Sequence, residues 1–182
     1  MDLEHDPGAL GTWPHDRALH AYWVEPWLLA GEYPGNASPD VARQRLQLLV
    51  DHGIRTFVDL TTPADGLPPY AAVLDEIAQQ RSIALTREAH PIPDFGVLDD
   101  AGYDAILAAV DRGATRGGVY LHCWGGVGRT GTVVGCHLVR AGVTLDSALT
   151  RLTGLRASSR MAHRTSPETT DQVDVLRRRA QR

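Results

Sequence analysis

The sequence predicts an α/β fold with a central, mostly parallel sheet that is flanked by helices on both faces. Short apolar runs, which are typical of buried strands, alternate along the chain with segments whose apolar residues recur at helical spacing. Gly and Pro punctuate the connections between these segments. No internal repeat or low-complexity segment interrupts the alternation, so we expect a single domain over residues 21–182.

The first part of the chain divides into an arm and two short strands. Residues 1–20 contain several Asp, Pro and His, which favours a flexible arm, although a short extension held in place by Trp13 fits the same residues. Apolar residues at 22–24 and 27–31 predict two strands, because a proline-containing turn separates them. The first three tryptophans of the chain are expected to pack in the core or at its edge rather than to stack on a ligand.

The remaining elements follow from caps, periodicity and apolar runs. Ser38-Pro39-Asp40 supplies the hydroxyl, the proline and the acid that are typical of a helix start, and Ser166-Pro167-Glu168 repeats this pattern. Residues 90–97 contain two prolines and a glycine and are predicted as an irregular loop. In chain order the predicted elements are a helix between 38 and 53, a strand over 54–60, a helix over 70–80, a short strand over 83–86, a helix around 103–110, a strand from 119, helices over 129–140 and around 145–152, and a last helix that begins at 166–168.

Composition excludes several classes of function. The 182 residues include 18 Lys and Arg against 22 Asp and Glu, and the net charge of −4 gives no general attraction to nucleic acid or to an anionic membrane. The acidic N-terminus is unlike a signal peptide, and no apolar run is long enough for a membrane anchor. With only Cys123 and Cys136, a disulfide framework is not expected. The simplest location is a reducing cytoplasm, which keeps a reactive thiol usable.

The stretch at residues 119–131 is the most informative part of the sequence. It predicts a buried strand, a glycine-rich turn and the start of a helix, with Cys123 at the end of the strand and Arg129 six positions later. The three glycines between them allow backbone amides to surround a tetrahedral anion, and the helix N-terminus adds partial positive charge. Arg129 supplies a planar fork for two anion oxygens. The stretch therefore predicts an oxyanion site with a thiolate at its base.

The spacing Cys-x5-Arg does not by itself identify the chemistry. Arsenate reductases, sulfurtransferases and unrelated proteins share that spacing, and a structural cysteine beside a turn is a further alternative. Three glycines and an arginine are poor core material, however, and this argues against the structural alternative.

The ten residues from His122 to Gly131, HCWGGVGRTG, resemble the signature of cysteine-dependent protein tyrosine and dual-specificity phosphatases. Residues 29–35, 57–61 and 91–96 are similar to the small bacterial and kinase-inhibitor-associated dual-specificity branch. The resemblance covers about residues 22–175. It implies a (phosphotyrosine protein phosphatase)-like fold and hydrolysis of phosphomonoesters through a phosphocysteine, with no metal or organic cofactor.

The resemblance also implies the roles of individual residues. Cys123 would attack phosphorus, Arg129 would hold the phosphate oxygens, and Asp94 would protonate the leaving oxygen and later act as a base toward water. Asp94 lies 29 residues before Cys123 (123 minus 94), within the irregular loop. The implied phosphate-binding loop consists of Trp124, Gly125, Gly126, Val127, Gly128 and Arg129.

Four other aspartates compete with Asp94 for the role of general acid. Asp99 and Asp100 stand where a helix should begin, so capping explains them better. Asp59 at a strand end either borders the site or makes a structural hydrogen bond, and Asp65 lies in the loop that follows. We favour Asp94 because it matches the motif and its loop setting.

Three residues are expected to support the site. His122 should bind the loop backbone and orient Cys123, and Thr130 should donate its hydroxyl to the thiolate. Gln172 matches the segment that positions the hydrolytic water in related phosphatases, but Glu168 stands where another Gln is sometimes found. The match at this segment is therefore partial.

The other reactive side chains have structural interpretations. Cys136 is expected to be a small core residue in a buried helix, and His137 a core or helix-end histidine. No metal site is predicted, because His and Cys are not grouped at ligand spacing.

The expected activity is hydrolysis of phosphotyrosine, with phosphoserine and phosphothreonine as further candidates, in a phosphoprotein or phosphopeptide. A non-protein ester such as an inositol lipid is the alternative, and the lack of lysine between Cys123 and Arg129 argues against it. A catalytically dead phosphate-binding module is the third hypothesis, although its expected mark is the loss of a catalytic residue. The aromatic clamp of tyrosine-specific enzymes has no clear counterpart, and residues 65–70 are a candidate segment in which Tyr70 either lines the rim or packs.

Overall fold

The structure is a computed structural model that describes residues 10–182. Its strands are β1 (Ala21–Glu25), β2 (Leu28–Gly31), β3 (Ile54–Asp59), β4 (Thr86–Ala89) and β5 (Gly118–His122). They form a five-stranded sheet in the order β1-β2-β5-β3-β4, in which β1 and β2 are antiparallel and the other three pairings are parallel. The predicted mostly parallel sheet is confirmed.

Helices connect the strands and cover both faces of the sheet. In the described part of the chain they are α1 (Pro39–Asp51), α2 (Ala71–Arg81), α3 (Asp100–Ala114), α4 (Gly128–Arg140), α5 (Leu145–Leu155) and α6 (Thr170–Arg179), with a short 3-10 helix over Pro63–Asp65. Val119 and Leu121 of β5 enter a core shared with α3 to α6, whereas Tyr120 between them enters a second core with α1 and α2. This alternation follows from the pleat of a strand that is buried on both faces.

The middle strand of the sheet places the cysteine-containing stretch at one edge. His122, the last residue of β5, pairs with Gly31 of β2 on one side and with Asp59 of β3 on the other. The carboxyl ends of three parallel strands therefore meet at this edge, where α/β sheets usually bind their ligands.

The fourth strand was predicted at 83–86, and that position is wrong. The ladder with β3 begins only at Thr86 and runs to Ala89. Ile83 and Leu85 instead pack against the core that contains α1 and α2. These residues are apolar because they contact this core and not because they form a strand.

The last helix begins at Thr170 rather than at Ser166–Glu168, which corrects a second prediction. Thr169 accepts a hydrogen bond from the backbone of Gln172, whose side chain completes a capping box. The hydroxyl of Ser166 donates to the Val127 carbonyl at 2.7 Å instead of capping a helix. At the other predicted start, α1 does begin at Pro39, but Ser38 makes no side-chain cap bond.

Residues 10–20 pack against the sheet. Trp13 is buried against Trp23, its indole N–H donates to the Leu19 carbonyl at 2.9 Å, and the Gly11 amide donates to the Trp23 carbonyl at 2.8 Å. These contacts agree with the alternative in which Trp13 holds the segment in place. Residues 1–9 of the predicted arm lie outside the described residues. None of the helices over 10–182 is long and apolar enough to cross a membrane.

Candidate active site

Residues 123–127 connect β5 to α4, and we call them the cysteine loop. Gly126 has a φ of +69°, and a Cβ at this position would lie 2.5 Å from the carbonyl carbon of Gly31. Only glycine fits there, so the loop backbone packs directly on the end of β2. The Tyr33 amide donates to the Trp124 carbonyl at 2.9 Å and holds the loop from the same side.

The cysteine loop forms part of a cavity of about 270 Å³. Cys123 lies at its base and is buried, and α4 begins at Gly128, so the free amides of the first helical turn face the loop. Such a helix N-terminus suits an anion. The lining consists of Asp94, Phe95, Cys123, Trp124, Gly125, Val127, Gly128, Arg129, Arg164 and Glu168.

Arg129 is the buried cation of this cavity, with 2% of its side chain exposed. One terminal nitrogen, Nη1, donates to Asp65 Oδ2 at 2.8 Å and to the Ile92 carbonyl at 3.2 Å. The other, Nη2, lies 3.1 Å from Asp94 Oδ1. The guanidinium is therefore held on one side and faces the cavity on the other.

Asp65 is the residue whose role the sequence did not indicate. It closes the capping box of the short 3-10 helix by accepting a hydrogen bond from the Thr62 amide at 2.7 Å, and the same oxygen accepts from Arg129. Burial disfavours the charged form, but the hydrogen bonds from Arg129 and Thr62 outweigh burial and hold the pKa of the Asp65 carboxyl below its usual value. The motif Thr-x-x-Asp could have predicted the cap, but nothing local predicts the partner.

Asp94 reaches the cavity from residues 90–97, which we call the aspartate loop. The Gly96 amide donates to the Pro93 carbonyl at 2.8 Å and closes a turn around Asp94 and Phe95. Phe95 has a φ of +56°, which is rare for a bulky residue. The Asp94 side chain is 44% exposed, in contrast to the buried Arg129 that it contacts.

The competing aspartates have other partners. Asp59 accepts two hydrogen bonds from Arg87, at 3.0 and 2.8 Å, and two more from Thr61. Burial opposes its ionisation, but His122, Thr61 and Arg87 together lower the pKa of Asp59. Asp99 caps α3 by accepting a bond from the Gly102 amide at 2.9 Å, and Asp100 in the first turn pairs with Arg182.

His122 is buried beneath the cysteine loop. Its Nε2 lies 2.8 Å from the Tyr70 hydroxyl, its Nδ1 lies 3.4 Å from the Cys123 carbonyl, and the ring stacks on Tyr120. Burial lowers the pKa of His122 against the opposing effect of Asp59, so the ring is neutral near pH 7. One tautomer, protonated on Nδ1, satisfies both contacts. Tyr70 is thus a buried packing residue here.

The other two predicted supporting residues, Thr130 and Gln172, lie next to the cysteine loop. The Thr130 hydroxyl is buried and has no hydrogen-bond partner among residues 10–182. Gln172 Oε1 accepts from the Glu168 amide at 2.9 Å, and Nε2 donates to the Gly96 carbonyl at 3.5 Å, which joins the start of α6 to the aspartate loop. A Cβ at Gly128 would lie 3.2 Å from the Gln172 amide, so Gln172 also borders the start of α4.

The rim contains two side chains, Arg164 and Phe95, that the sequence did not indicate as site residues. Arg164 and Glu168 form an ion pair that lines the cavity, and Phe95 and Trp124 line it with exposed rings. Arg164 and Phe95 both belong to segments that are distant in sequence from Cys123, so no local pattern predicts that they line its cavity.

The remaining reactive side chains lie elsewhere. Cys136 is fully buried in α4, and burial raises the pKa of its thiol to about 12. His137 lies 3.5 Å from Glu25 and has its pKa lowered first by burial and then by Arg140. Across residues 10–182 the structure contains no group of three or more His, Cys, Asp and Glu that could hold a metal ion.

Comparison with known proteins identifies the family of this fold and cavity. Residues 20–182 match the model of the family described as PTP-SAK, Swiss Army Knife protein, DSP-PTPase phosphatase domain. The chain belongs to this family. The resemblance that the sequence showed to tyrosine and dual-specificity phosphatases is therefore confirmed.

Solved structures of phosphatases share the fold. The active form of Tk-PTP is 23% identical, with a TM-score of 0.70 over 94% of this chain and 99% of that chain. A Cys-to-Ser variant of TpbA from P. aeruginosa, in complex with phosphotyrosine, is 20% identical, with a TM-score of 0.64 over 96% of this chain and 97% of that chain. PTPMT1 in complex with PI(5)P is 15% identical, with a TM-score of 0.58 over 87% and 92% of the two chains. These identities establish the fold alone.

Proposed function

We propose that this phosphatase hydrolyses phosphate monoesters on proteins, with phosphotyrosine as the first substrate and phosphoserine and phosphothreonine as further ones, through a phosphocysteine. One observation carries the proposal: Cys123, Arg129 and Asp94 border the same cavity at the carboxyl edge of the sheet. A nucleophile, an anion-binding fork and a proton donor are the three groups that the reaction needs.

In the first step Cys123 Sγ attacks phosphorus while the bond from phosphorus to the ester oxygen breaks. Amides of the cysteine loop and Arg129 bind the remaining phosphate oxygens, where negative charge must be stabilised. Asp94, in its protonated form, gives its proton to the leaving oxygen. The products of this step are the dephosphorylated hydroxyl and a phosphorylated Cys123.

Binding of the phosphate requires an exchange of ion pairs at Arg129. Nη2 contacts Asp94, whereas Nη1 is held by Asp65. The phosphate would take the place of the Asp94 carboxylate at Nη2, and the exposed Asp94, after taking up a proton from solvent, would turn toward the ester oxygen. Asp65 keeps the guanidinium oriented throughout this exchange.

In the second step water attacks the phosphorus of the phosphocysteine. Asp94, now ionised, accepts a proton from the water, and the bond from sulfur to phosphorus breaks. Inorganic phosphate leaves, Cys123 is again a thiolate, and Asp94 returns its proton to solvent when it pairs with Arg129 once more. Thr130, with its buried and unpartnered hydroxyl at the start of α4, is the candidate donor to the departing thiolate.

The charge balance of the cavity supports a singly phosphorylated substrate over a highly charged one. Each arginine of the lining is already paired, Arg129 with two aspartates and Arg164 with Glu168. A polyphosphorylated inositol would need surplus positive charge. The absence of lysine from the loop carries less weight, because the whole chain contains none. Among the proteins that share the fold, TpbA binds phosphotyrosine and PTPMT1 binds PI(5)P, so the fold alone does not determine the substrate class.

Turnover of p-nitrophenyl phosphate by the wild type and by Cys123→Ser tests the proposed reaction. We expect turnover by the wild type, none by Cys123→Ser, and retained binding of a phosphotyrosyl peptide by the variant. Cys136→Ala is the matched control, because Cys136 is the other cysteine and does not line the cavity. A wild type that binds the peptide but never hydrolyses either ester would instead be a phosphate-binding module.

The phosphocysteine is tested by acid quenching during turnover. Mass spectrometry of the quenched enzyme should locate a phosphoryl group on the peptide that contains Cys123. Phosphorylation of a different residue, with turnover intact, would contradict this mechanism. A panel of phosphopeptides and of vesicles that contain phosphoinositides then tests the substrate class, since higher kcat/KM on the lipid would reject the protein substrate.

A further inference from the structure

Residues 31–33 pack against the cysteine loop, and we call them the loop support. A Cβ at Gly126 would lie 2.8 Å from the backbone nitrogen of Glu32, so the two backbones are in direct contact. On the same side the Tyr33 amide donates to the Trp124 carbonyl at 2.9 Å. Because the two segments touch without intervening side chains, a displacement of the loop support displaces the cysteine loop as well.

The sheet alone does not hold the loop support. β2 ends at Gly31, so Glu32 lies beyond the last strand pairing. Other bonds hold Glu32: its amide donates to the His20 carbonyl at 2.9 Å, and its carbonyl accepts from the Tyr120 hydroxyl at 2.6 Å. Its carboxylate, which is 16% exposed, accepts from the His20 amide at 3.0 Å. The side chain of Glu32 therefore takes part in fixing its own backbone.

Arg160, in the connection between α5 and α6, binds this carboxylate. Its Nη2 donates to Glu32 Oε1 at 2.6 Å, and its Nε donates to the Asp16 carbonyl at 3.0 Å. The backbone amide of Arg160 donates to Asp16 Oδ2 at 2.8 Å. One residue thereby joins the segment over residues 10–20, the loop support and the α5–α6 connection, and its charge strengthens the bond to Glu32.

The charges around Arg160 show what its loss would do. Asp16 Oδ1 lies 3.0 Å from His20 Nδ1, and Arg45 Nη2 lies 3.6 Å from Glu32 Oε1. Without Arg160, the carboxylate of Glu32 would keep only the longer contact with Arg45. A partly buried carboxylate that loses a charged donor gains by turning toward water. Such a turn would break its bond to the His20 amide and loosen the loop support.

The α5–α6 connection also reaches the cavity itself. Arg164, four residues after Arg160, lines the cavity. Arg156, only 3% exposed, donates to the Met161 and Arg164 carbonyls, both at 2.9 Å. Residues 156–164 are thus held together from inside, and Arg160 ties this unit to the loop support. The cysteine loop and one side of its cavity are therefore connected through a single ion pair.

We propose that Arg160 is a positioning residue of the phosphatase, which acts through Glu32 to hold the amides of the cysteine loop in place for the phosphate. The inference rests on the proposed function and adds a residue that acts from a distance, since Arg160 lies outside the cavity lining within the described part of the chain. Amides stabilise an anion only when they are oriented in advance, so a displaced loop loses affinity for the phosphate and for the transition state together.

Arg160→Met tests this role, because it keeps the aliphatic stem and the backbone bond to Asp16 and removes the ion pair. The readouts are kcat/KM for p-nitrophenyl phosphate and the inhibition constant of orthovanadate. We expect kcat/KM to fall about tenfold and vanadate to bind more weakly by a similar factor. Arg160→Lys should recover most of both losses, since an ammonium still pairs with Glu32. Circular dichroism at the assay temperature ensures that only folded protein is compared.

Arg112→Met is the matched control for the loss of an ion pair. Arg112 donates to Glu88 at 2.7 Å, and Glu88 is 20% exposed, which is close to the exposure of Glu32. This pair joins α3 to β4 and lies outside the cavity lining among the described residues. Arg112→Met should leave kcat/KM and vanadate inhibition within about twofold of the wild type.

A double-mutant cycle identifies the route from Arg160 to the cysteine loop. Glu32→Gln keeps the shape and an acceptor for the His20 amide but removes the charge, and we expect it to lower kcat/KM about fivefold. If Arg160 acts through Glu32, the variant with both substitutions should lose no more than Arg160→Met alone. Additive losses would overturn the proposed route.

The outcomes separate this inference from the proposed function. Unchanged kcat/KM and vanadate inhibition in Arg160→Met, with turnover by the wild type intact, would overturn the positioning role alone. Arg160→Lys that is as impaired as Arg160→Met would also overturn it. If Arg160→Met does not fold, Glu32→Gln decides, and wild-type values in that variant would reject the inference. A wild type without any turnover would reject the proposed function itself.

Discussion

The cysteine loop and the aspartate loop meet at Arg129, yet they are built in opposite ways. Cys123 and Arg129 are buried, and the backbone of the cysteine loop packs on Gly31. The aspartate loop instead presents Asp94 and Phe95 with about half of each side chain exposed. Anion binding requires donors that are fixed before the substrate arrives, whereas proton transfer requires a group that can move. The difference in burial matches the roles that we propose for Arg129 and Asp94.

The largest expected effect comes from Arg129→Lys, which changes the buried cation beside the cysteine loop. Lysine keeps the charge but cannot contact Asp65 and a phosphate with two separate nitrogens. We expect kcat/KM for p-nitrophenyl phosphate to fall by about 10³-fold. Arg164→Lys, at the exposed rim, is the control and should lose much less. A loss below about tenfold at Arg129 would show that the fork is not needed.

Asp94→Asn tests the role of the exposed aspartate loop. The amide cannot donate a carboxylic proton, so kcat for an ester with a poor leaving group should fall by about 10²- to 10⁴-fold, with a smaller loss for p-nitrophenyl phosphate. Asp99→Asn is the control, because Asp99 caps α3 away from the cavity. Equal turnover of the poor substrate by the wild type and Asp94→Asn would remove Asp94 from this role.

Gly126→Ala tests whether the cysteine loop depends on its contact with β2. The positive φ and the short distance to Gly31 should destabilise the fold by about 1–3 kcal/mol and reduce activity with it. Gly125→Ala is a matched control one residue away, because a Cβ there meets nothing within 4 Å. Urea unfolding of both variants measures the difference, and equal stabilities would refute the close approach.

The smallest effect, and the sharpest test of how Arg129 is held, comes from the pH dependence of Asp65. Its pKa is lower in the folded protein than in the unfolded chain, so the ionised carboxyl stabilises the fold above a pH of about 4 and this contribution is lost as the pH falls through the folded pKa. Urea unfolding of wild type and Asp65→Asn should therefore differ most near pH 7 and converge in acid. A difference that stays constant from pH 3 to 7 would contradict this account.

Local patterns predicted the elements and the cysteine loop, and they failed where contacts are distant in sequence. The helical repeat of α3 and the glycines after Cys123 are both contained within a few residues, and both structures are present. The strand prediction at 83–86 was wrong because Ile83 and Leu85 pack against the core that contains α1 and α2. The pairing of Asp65 with Arg129 spans 64 residues, so no window along the chain contains it.

The sequence by itself determined the alternation of strands and helices and the glycine-rich turn after Cys123, because helix period, strand pattern and glycine conformation are properties of neighbouring residues. It also left five aspartates as candidates for the acid. Only the tertiary structure decided what each of them contacts. Parallel strands bring their carboxyl ends to one edge of the sheet. In the folded protein Asp65 accepts a hydrogen bond from Arg129, Asp59 accepts one from Arg87, and Asp99 caps a helix. Asp94 was left exposed beside the cavity, and two unpaired rings were left to form its rim.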